Sequence, residues 1–414
     1  PDDAGRIRRG LHVREGKGLQ DDLDPPGGEP VGDASGPGRA VLADEARDET
    51  VQVVAGAGTT TLNPGLGNTN TLGAFIQSGG TVVLTNGTLN VTNTPIRNFQ
   101  VASGDMIIND GATVLSGSIN TVIGNNGTGT LTMNGGSFMT TSSGAFITIG
   151  LGSSGSALTM GGGTLTTPVI VIGNANGLTN TLNLNGGVLV VGSIGNNGVA
   201  SPIVNLNGGT IKSSANQTNF FQFTGTGTSA ITIRTNGFIF DTAGFVVGIT
   251  NNLLGSSGDG GLSLTNSTGN GTLTLSGSNS YNGGTIISAG TLIVGNTNAL
   301  GATNGLLNVA AGTLNAAAFN IQVGDVTLGN GTITGSGTLT GSSYTATNTA
   351  AALISESLAG SGAFTQNGTG TTTLSVSNSF SGGTILSAGT LLLGNANALG
   401  ATNGLLNVAA GTLN

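Results

Sequence analysis

Two segments of this chain, residues 283–315 and 382–414, carry almost the same 33-residue sequence and start 99 residues apart. They differ at four positions, and most of the differences exchange one aliphatic residue for another. A stacked array repeats a sequence in this way, because each unit packs only on its neighbours and meets the same packing problem. The duplication therefore predicts a repeat fold whose core is shared between neighbouring units.

Charge separates the first 50 residues from the remainder of the chain. Residues 1–50 hold 19 of the 28 charged side chains, five of the nine prolines and the single histidine, His12. A segment this charged and this poor in aliphatic residues is predicted to be disordered. Its abrupt border leaves open whether it is a native leader or a foreign, mis-joined segment. His12 is expected to be a solvated side chain rather than a ligand.

The other 364 residues carry only nine charges, and the chain has no cysteine. So few cations argue against binding to nucleic acid or anionic lipid. The lack of cysteine excludes disulfides and thiolate metal sites. A membrane-spanning helix needs about 20 consecutive apolar residues, and no apolar run is that long, so none is predicted. Because the chain starts at Pro1 and ends inside a repeat, we interpret it as a fragment that is truncated at its C-terminus.

Two short signatures alternate between residues 120 and 212. One signature begins at four places, LTMNGGSF at 131, LTMGGGTL at 158, LNLNGGVL at 182 and VNLNGGTI at 204. The other is an Ile-Gly pair, at residues 123, 149, 172 and 194. Alternating apolar and polar residues are typical of strands, and Asn-Gly-Gly is typical of a sharp turn. Leu131, Met133, Phe138, Ile147 and Ile149 are predicted to point inward.

These spacings predict an all-β chain folded as a parallel β-helix (β-solenoid) with about 22–27 residues per coil. The 99-residue period is then expected to hold about four coils. Residues 51–265 are predicted to form such coils, with an irregular, Phe-rich part at 216–265. Residues 266–414 are predicted to hold two related repeats, 266–315 and 365–414, with further coils between them.

The sequence GTLTLSGSNSYNGGTIISAGTL at 271–292 closely resembles the autotransporter-associated β-strand repeat, also called the passenger-associated transport repeat. A second copy at 373–391 keeps the pattern, with Val376 in place of Gly277 and Phe380 in place of Tyr281. The resemblance implies an autotransporter passenger segment with a right-handed β-helix. It also implies a C-terminal β-barrel translocator outside this sequence, and a place at the cell surface or outside a Gram-negative bacterium.

The repeat carries no catalytic residue that could be transferred to this chain. We therefore expect a structural stalk that supports transport and display. The alternative is an adhesin surface that binds glycans or host and matrix components. A carbohydrate-active β-helix enzyme is a remote alternative, because such chemistry needs clustered carboxylates or a base beside acidic metal ligands.

The few charged residues offer weak candidates for a site. Asp105 and Asp110 are predicted on opposite faces of a strand unless a turn intervenes, and Asp110 precedes a glycine that is typical of a turn. Arg234 and Asp241 flank an Asn-Gly pair, which predicts a hairpin-like arrangement with a surface ion pair. Asp259 is interpreted as a turn residue.

Asp325 is likewise interpreted as a turn residue, and Glu356 is isolated. Gly258–Gly261 lacks the tandem copies that a calcium-binding nonapeptide requires. Gly335-Ser-Gly337 is not followed by a helix, as a dinucleotide loop would be. The sequence therefore predicts no catalytic, cofactor-binding or metal-ligating residue and no cofactor.

Overall fold

The computed structural model describes residues 59–92, 98–175, 177–198, 200–224 and 229–414, together with the backbone of short strands at 11–12, 39–40 and 50–53. The chain divides into two compact units. The first reaches to Ile203 and includes Phe223–Ser229, and the second comprises Val204–Gln222 and Ala230–Asn414. None of the described residues is helical, so both units are built from strands and turns.

The first unit contains seventeen strands over the described residues. They are β1 (Leu11–His12), β2 (Arg39–Ala40), β3 (Thr50–Val53), β4 (Thr59–Leu62), β5 (Thr69–Leu72), β6 (Ala74–Leu84), β7 (Gly87–Val91), β8 (Phe99–Ile108), β9 (Ala112–Ser116), β10 (Asn120–Asn125), β11 (Gly129–Met133), β12 (Ser137–Thr140), β13 (Phe146–Leu151), β14 (Ala157–Met160), β15 (Thr164–Ile172), β16 (Thr181–Leu184) and β17 (Val188–Gly195).

The remaining strands, apart from the first residue of β18, lie in the second unit. They are β18 (Ile203–Leu206), β19 (Thr210–Ser213), β20 (Phe221–Gln222), β21 (Ala230–Ile233), β22 (Phe238–Asp241), β23 (Val246–Ile249), β24 (Leu253–Gly255), β25 (Leu262–Thr265), β26 (Thr272–Leu275), β27 (Thr285–Ile287), β28 (Thr291–Val294), β29 (Leu307–Val309), β30 (Thr313–Asn315), β31 (Ile321–Gln322), β32 (Asp325–Leu328), β33 (Thr332–Thr340), β34 (Ser343–Ala346), β35 (Ala351–Ala359), β36 (Phe364–Gln366), β37 (Thr371–Leu374), β38 (Thr384–Leu386), β39 (Thr390–Leu393), β40 (Leu406–Val408) and β41 (Thr412–Leu413).

A coil of the first unit is built from three short strands. In β11, Leu131 and Met133 are fully buried while Thr132 between them faces outward, as alternation on a strand requires. The chain then turns at 134–136. Gly136 has a φ of +65° there, and a side chain at this position would collide with backbone carbonyls of the preceding coil. The predicted turn is therefore confirmed, and glycine is required for it.

The other two strands of this coil follow the same rule. β12 buries Phe138, and β13 buries Ile147 and Ile149. The predicted inward positions are thus confirmed. Removing an aliphatic side chain of this kind from water stabilises the fold by about 2 kcal/mol, so the apolar residues of the three strands together form the core of this coil.

Equivalent strands of successive coils pair in parallel. Leu131 pairs with Leu158, and Leu158 pairs with Leu182 of the next coil. Ile123 pairs with Ile149 in the same way. Each of these steps along the chain falls within the predicted coil length, which is therefore confirmed for these coils of the first unit.

Coils of the second unit mostly use two strands. β26 and β28 stack in one sheet, while β27 and β29 stack in the other. The chain of pairing partners in the sheet of β27 runs through Thr285, Leu307, Val326, Tyr344, Phe364 and Thr384. Five steps thus lead from Thr285 to Thr384, so the 99-residue period holds five coils. The prediction of four coils was wrong, and so was the predicted length of 22–27 residues for most of these coils, because a coil of two strands is shorter than one of three.

The Phe-rich part of the chain forms an aromatic cluster in the core of the second unit. Phe220 lies edge-on to Phe221 and to Phe240, with ring centres 5.2 Å apart in both pairs. All three rings are fully buried. Ile211 of β19 pairs with Phe240 of β22. The step between these two residues exceeds the predicted coil length, as an enlarged aromatic core requires.

The predicted fold class is confirmed, since the described residues of the two units form a parallel β-solenoid of about 15 turns. Most of residues 1–50 lie outside the described residues, so their disorder stays a prediction. Within that segment, the strand β1 pairs with β3, and β2 pairs with β4.

Candidate functional site

The repeat places one buried asparagine across three successive coils. The Oδ1 atom of Asn279 accepts a hydrogen bond from Leu253 N at 2.8 Å, and its Nδ2 atom donates to Ala299 O at 2.6 Å. Leu253 belongs to the coil before and Ala299 to the coil after. The side chain is 5 % exposed, so both bonds form away from bulk water. Asn279 therefore bonds one buried backbone group of the coil before and one of the coil after.

The second copy repeats this arrangement at Asn378. Its Oδ1 atom accepts from Leu358 N at 2.9 Å, and its Nδ2 atom donates to Ala398 O at 2.6 Å. Because both partners sit in neighbouring coils, the asparagine fixes the stacking of coils rather than the shape of one coil. Each such bond contributes about 1 kcal/mol net, and an unsatisfied buried partner costs more.

Tyr281 fills the core beside Asn279. Its ring is fully buried, and its hydroxyl lies 2.8 Å from Thr285 Oγ1 and 3.4 Å from Ala299 O. Burial holds the pKa of the Tyr281 phenol well above its usual value. The hydroxyl is thus a neutral packing group, and it does not offer a reactive oxygen.

Phe380 occupies the same position in the second copy. Its ring packs near Phe364 and Tyr344, with ring centres 6.2 Å and 6.0 Å away. The neighbouring Thr384 hydroxyl donates to Leu399 O at 3.2 Å. The exchange of Tyr for Phe therefore removes the two hydrogen bonds of the phenol hydroxyl and leaves the buried ring and the threonine in place.

The Gly-Gly pair that follows the aromatic residue is dictated by close approach of the next coil. Gly284 and Gly383 both have a φ of +83°. A side chain at Gly284 would collide with Leu306 O, and one at Gly383 with Leu405 O. No other residue fits both the backbone angle and the space.

Asp259 organises the turn that precedes the first repeat. Its Oδ1 atom accepts from Gly261 N at 3.1 Å and from Gly283 N at 2.8 Å, and its Oδ2 atom accepts from Asn282 N at 2.8 Å. Asp259 is 7 % exposed, so these donors from two coils replace the hydration shell of its carboxylate. The predicted turn role of Asp259 is confirmed.

Arg234 and Asp241 do not form the predicted ion pair. The Arg234 guanidinium donates to Asn205 Oδ1, with its Nη2 atom at 2.7 Å. Asp241 instead lies 3.9 Å from Lys212 Nζ and accepts from Ser267 N at 2.8 Å. The hairpin expectation was wrong because the strands are parallel, so that lateral partners come from neighbouring coils.

Burial alone would raise the pKa of the Asp241 carboxyl. Hydrogen bonds from Ser267 and from Ala243 N, together with the charge of Lys212, outweigh it and lower this pKa below its usual value. Asp241 therefore stays ionised, and its carboxylate connects Lys212 of the coil before with Ser267 of the coil after.

The other acidic candidates are spread over separate places. Asp105 faces outward on β8 and accepts from Thr130 Oγ1 at 2.6 Å. Asp110 lies in a turn with Gly111, as predicted. Asp325 is the first residue of β32 and not a turn residue, so that interpretation was wrong, and its carboxylate accepts from Ser343 Oγ of the next coil at 2.6 Å. Glu356 is fully buried within β35. Among the described residues no group of three or more His, Cys, Asp or Glu side chains is arranged to hold a metal ion.

Two buried glutamines were missed by the sequence reasoning. Gln77 is fully buried and donates from Nε2 to Asp105 O at 2.9 Å. Gln366 is also fully buried and donates to Asn348 Oδ1 at 3.0 Å and to Gly368 O at 2.9 Å. Both occupy inward positions of strands. Their alternation with a neighbouring aromatic residue, Phe75 or Phe364, could have predicted that they are buried.

Fold and site together define a β-solenoid repeat protein whose distinctive side chains join one coil to the next. Residues 266–294 and 364–393 match the family model of the passenger-associated-transport-repeat. No curated protein and no solved structure matches the chain. Two copies of this repeat in a parallel β-solenoid fit an autotransporter passenger repeat protein. Over the described residues, no helix is both long and apolar enough to span a membrane.

Proposed function

We propose that the chain is a stalk segment of a Gram-negative autotransporter passenger, which supports transport of the passenger and displays it at the cell surface. The proposal follows from the matched repeats, whose family is associated with such passengers. Secretion in company with a C-terminal translocator domain belongs to the same proposal. The stalk is built by stacking, so its length grows with the number of coils.

The proposal rests on one observation, that the residues characteristic of the repeat make contacts within and between coils. The side-chain amides of Asn279 and Asn378 form hydrogen bonds with backbone groups of adjacent coils. Tyr281 and Phe380 are fully buried core residues. The residues that distinguish this repeat therefore hold coils together, which is what a load-supporting spacer needs.

An adhesin surface is the second candidate, and a column of threonines favours it. Thr272, Thr291, Thr313 and Thr332 pair in register on the outward face of one sheet. Their hydroxyls repeat at about 4.8 Å, the spacing between strands. A flat row of hydroxyls is suited to hydrogen bonding with the hydroxyls of a glycan.

A pair of variants separates the two functions in bacteria that display the protein. Deleting residues 266–414 should reduce surface display, measured by antibody labelling of intact cells, if the segment is a stalk. The matched variant replaces the four column threonines by alanine and should leave display and adherence unchanged. Normal display with lost binding to immobilised glycans in the threonine variant would establish the adhesin instead. Full display after the deletion would overturn the stalk.

A further inference from the structure

Glu356 is an exception in a part of the chain that almost excludes charge. Residues 260–414 contain two charged side chains, Asp325 and Glu356. Asp325 is exposed, as a charged residue on a strand should be. Glu356 instead lies between Ile354 and Leu358 on the inward face of β35 and is fully buried. Its place in the alternation is that of an aliphatic core residue.

The carboxyl group lies over a bulge of the neighbouring strand. The pairing of β33 with β35 loses its register between Thr334 and Thr338. Within this interval a side chain at Gly335 would collide with Glu356 Oε2, so glycine makes the room that the carboxyl fills. Neither carboxyl oxygen has a hydrogen-bond partner among the described residues. The bulge of β33 therefore leaves space for the Glu356 carboxyl group. No donor among the described residues forms a hydrogen bond with it.

The backbone carbonyl of Ala317 also lies close to the bulge. Ala317 O lies 3.0 Å from the point that a Gly335 side chain would occupy, on the side of the coil before. Ala317 has a φ of +53°, which is unusual for a residue with a side chain. Its carbonyl accepts from Ser336 N at 2.6 Å, inside the bulge, and from the hydroxyl of the exposed Ser336 at 3.2 Å. A carbonyl oxygen has two lone pairs, so another donor can bind here once the serine hydroxyl turns to water.

No other charge faces Glu356 from the elements around it. Segment 316–320, β33, β35 and β37 contain no other Asp, Glu, Lys, Arg or His. The nearest phenol along the chain, Tyr344, is engaged with Leu339 O at 2.8 Å and Gly341 N at 2.6 Å. With no cation to pair with, an ionised Glu356 would be a bare buried charge, which is costly.

A neutral carboxyl group suits the site. It has an O–H donor, and the site offers an acceptor. Burial raises the pKa of Glu356 from 4.5 to about 7. The folded state therefore binds this proton more tightly than the unfolded state does. The resulting stabilisation is fully present below pH 4.5 and is lost as pH rises to about 7.

We propose that the protonation state of Glu356 controls whether the coils around β33 and β35 stay packed together. When neutral, it donates a hydrogen bond to Ala317 O and holds the bulge of β33 closed. When it loses the proton to water, the carboxylate leaves the core and this part of the solenoid opens. The device adds a pH-sensitive point to a structure that is otherwise nearly free of titrating groups, and it does not depend on the stalk function.

Hydrogen exchange of the full-length chain between pH 5 and pH 8 tests the proposal, after correction for the intrinsic pH dependence of exchange. In the wild type, opening of the amides in β33 and β35 should increase by about 50- to 100-fold over this range. Glu356→Gln keeps the shape and an N–H donor, so its opening should be nearly independent of pH. Asp325→Asn, the matched control, should behave as the wild type.

Equal pH dependence in the wild type and in Glu356→Gln would overturn the proposal, and so would loss of the dependence in Asp325→Asn. Infrared spectroscopy of the wild type is an independent measurement, needed if Glu356→Gln does not fold. Ordinary carboxyls are ionised at pH 6, so a protonated carboxyl band at that pH is expected from Glu356 alone. Its absence at pH 6 would overturn the proposal, and its loss as pH passes about 7 would support it.

Discussion

The two near-identical copies, 283–315 and 382–414, show that the local sequence alone does not determine whether a residue is buried. In the first copy Leu307 and Val309 are fully buried. In the second, the equivalent Leu406 and Val408 are 41 % and 49 % exposed. The first pair is covered by β32, which pairs with β29, whereas among the described residues β40 has a single partner strand, β38. The comparison teaches that a core position in this fold is made by the next coil.

The approach to the two copies differs as well. The turn of the first copy is held by the Asp259 carboxylate, which accepts from Asn282 N and Gly283 N. In the second, Ser381 N and Gly382 N donate to the backbone carbonyls of Gly360 and Gly362 at 2.9 and 3.1 Å. The same Gly-Gly corner is thus supported by a charged side chain in one place and by the ladder in the other.

The largest contrast is expected from truncating the same leucine in both copies. Leu307→Ala should lower the free energy of unfolding by about 3 kcal/mol, because it leaves a cavity between two coils. Leu406→Ala should cost less than about 1 kcal/mol, since its side chain is already partly in water. Urea unfolding followed by circular dichroism measures both. Equal losses would show that burial at these positions does not depend on the following coil.

The buried asparagines should behave alike, in contrast to the leucines. Asn279→Ala and Asn378→Ala should each cost about 2 kcal/mol, because each leaves a buried N–H of the coil before unsatisfied and removes a donor from a carbonyl of the coil after. The exposed Asn304→Ala, made as a control, should stay within about 0.5 kcal/mol of the wild type. A loss at only one of the two asparagines, measured by urea unfolding, would show that the bridges are not equivalent.

Asp259→Asn probes the support that only the first copy has. The amide keeps one acceptor oxygen but replaces the other by a donor that faces Asn282 N. A loss of about 1–2 kcal/mol is expected, with faster hydrogen exchange at Asn282 and Gly283. Exchange at Ser381 and Gly382 should not change. No effect on the first pair would mean that the carboxylate is dispensable for the corner.

The smallest effect is expected from exchanging the aromatic residues between copies. Tyr281→Phe should cost about 1 kcal/mol, because Thr285 loses a hydrogen-bond partner. Phe380→Tyr should change the stability by less than about 0.5 kcal/mol, since its hydroxyl gains Thr384 as a partner while taking space in the core. Thermal unfolding of the two single variants and their combination measures this. A neutral Tyr281→Phe would show that the hydroxyl contributes nothing.

Much of the fold could be predicted from local pattern, because alternation and glycine turns are properties of a few adjacent residues. Leu131, Phe138 and Ile149 point inward as expected. The number of coils in the 99-residue period could not be obtained in the same way. Coil length depends on whether two or three strands close the circuit, and that choice is made by packing across the core.

The polar residues divide along the same line. The turn role of Asp259 follows from its flanking glycines, and the inward position of Glu356 follows from its alternation with Ile354 and Leu358. The partners of Arg234 and Asp241 could not be predicted, because in a solenoid the lateral neighbour lies a whole coil away along the chain. Its position depends on a coil length that local pattern does not fix.

The whole-number relation between the 99-residue period and five coils has a genetic consequence. Unequal recombination between the two nearly identical copies would delete or insert one whole period at a time. Since Thr285 and Thr384 occupy the same position in one sheet, each event would remove or add five complete coils, about 24 Å of ladder. Every retained strand would keep a partner, so the length of such a solenoid can change in fixed steps without passing through a broken intermediate.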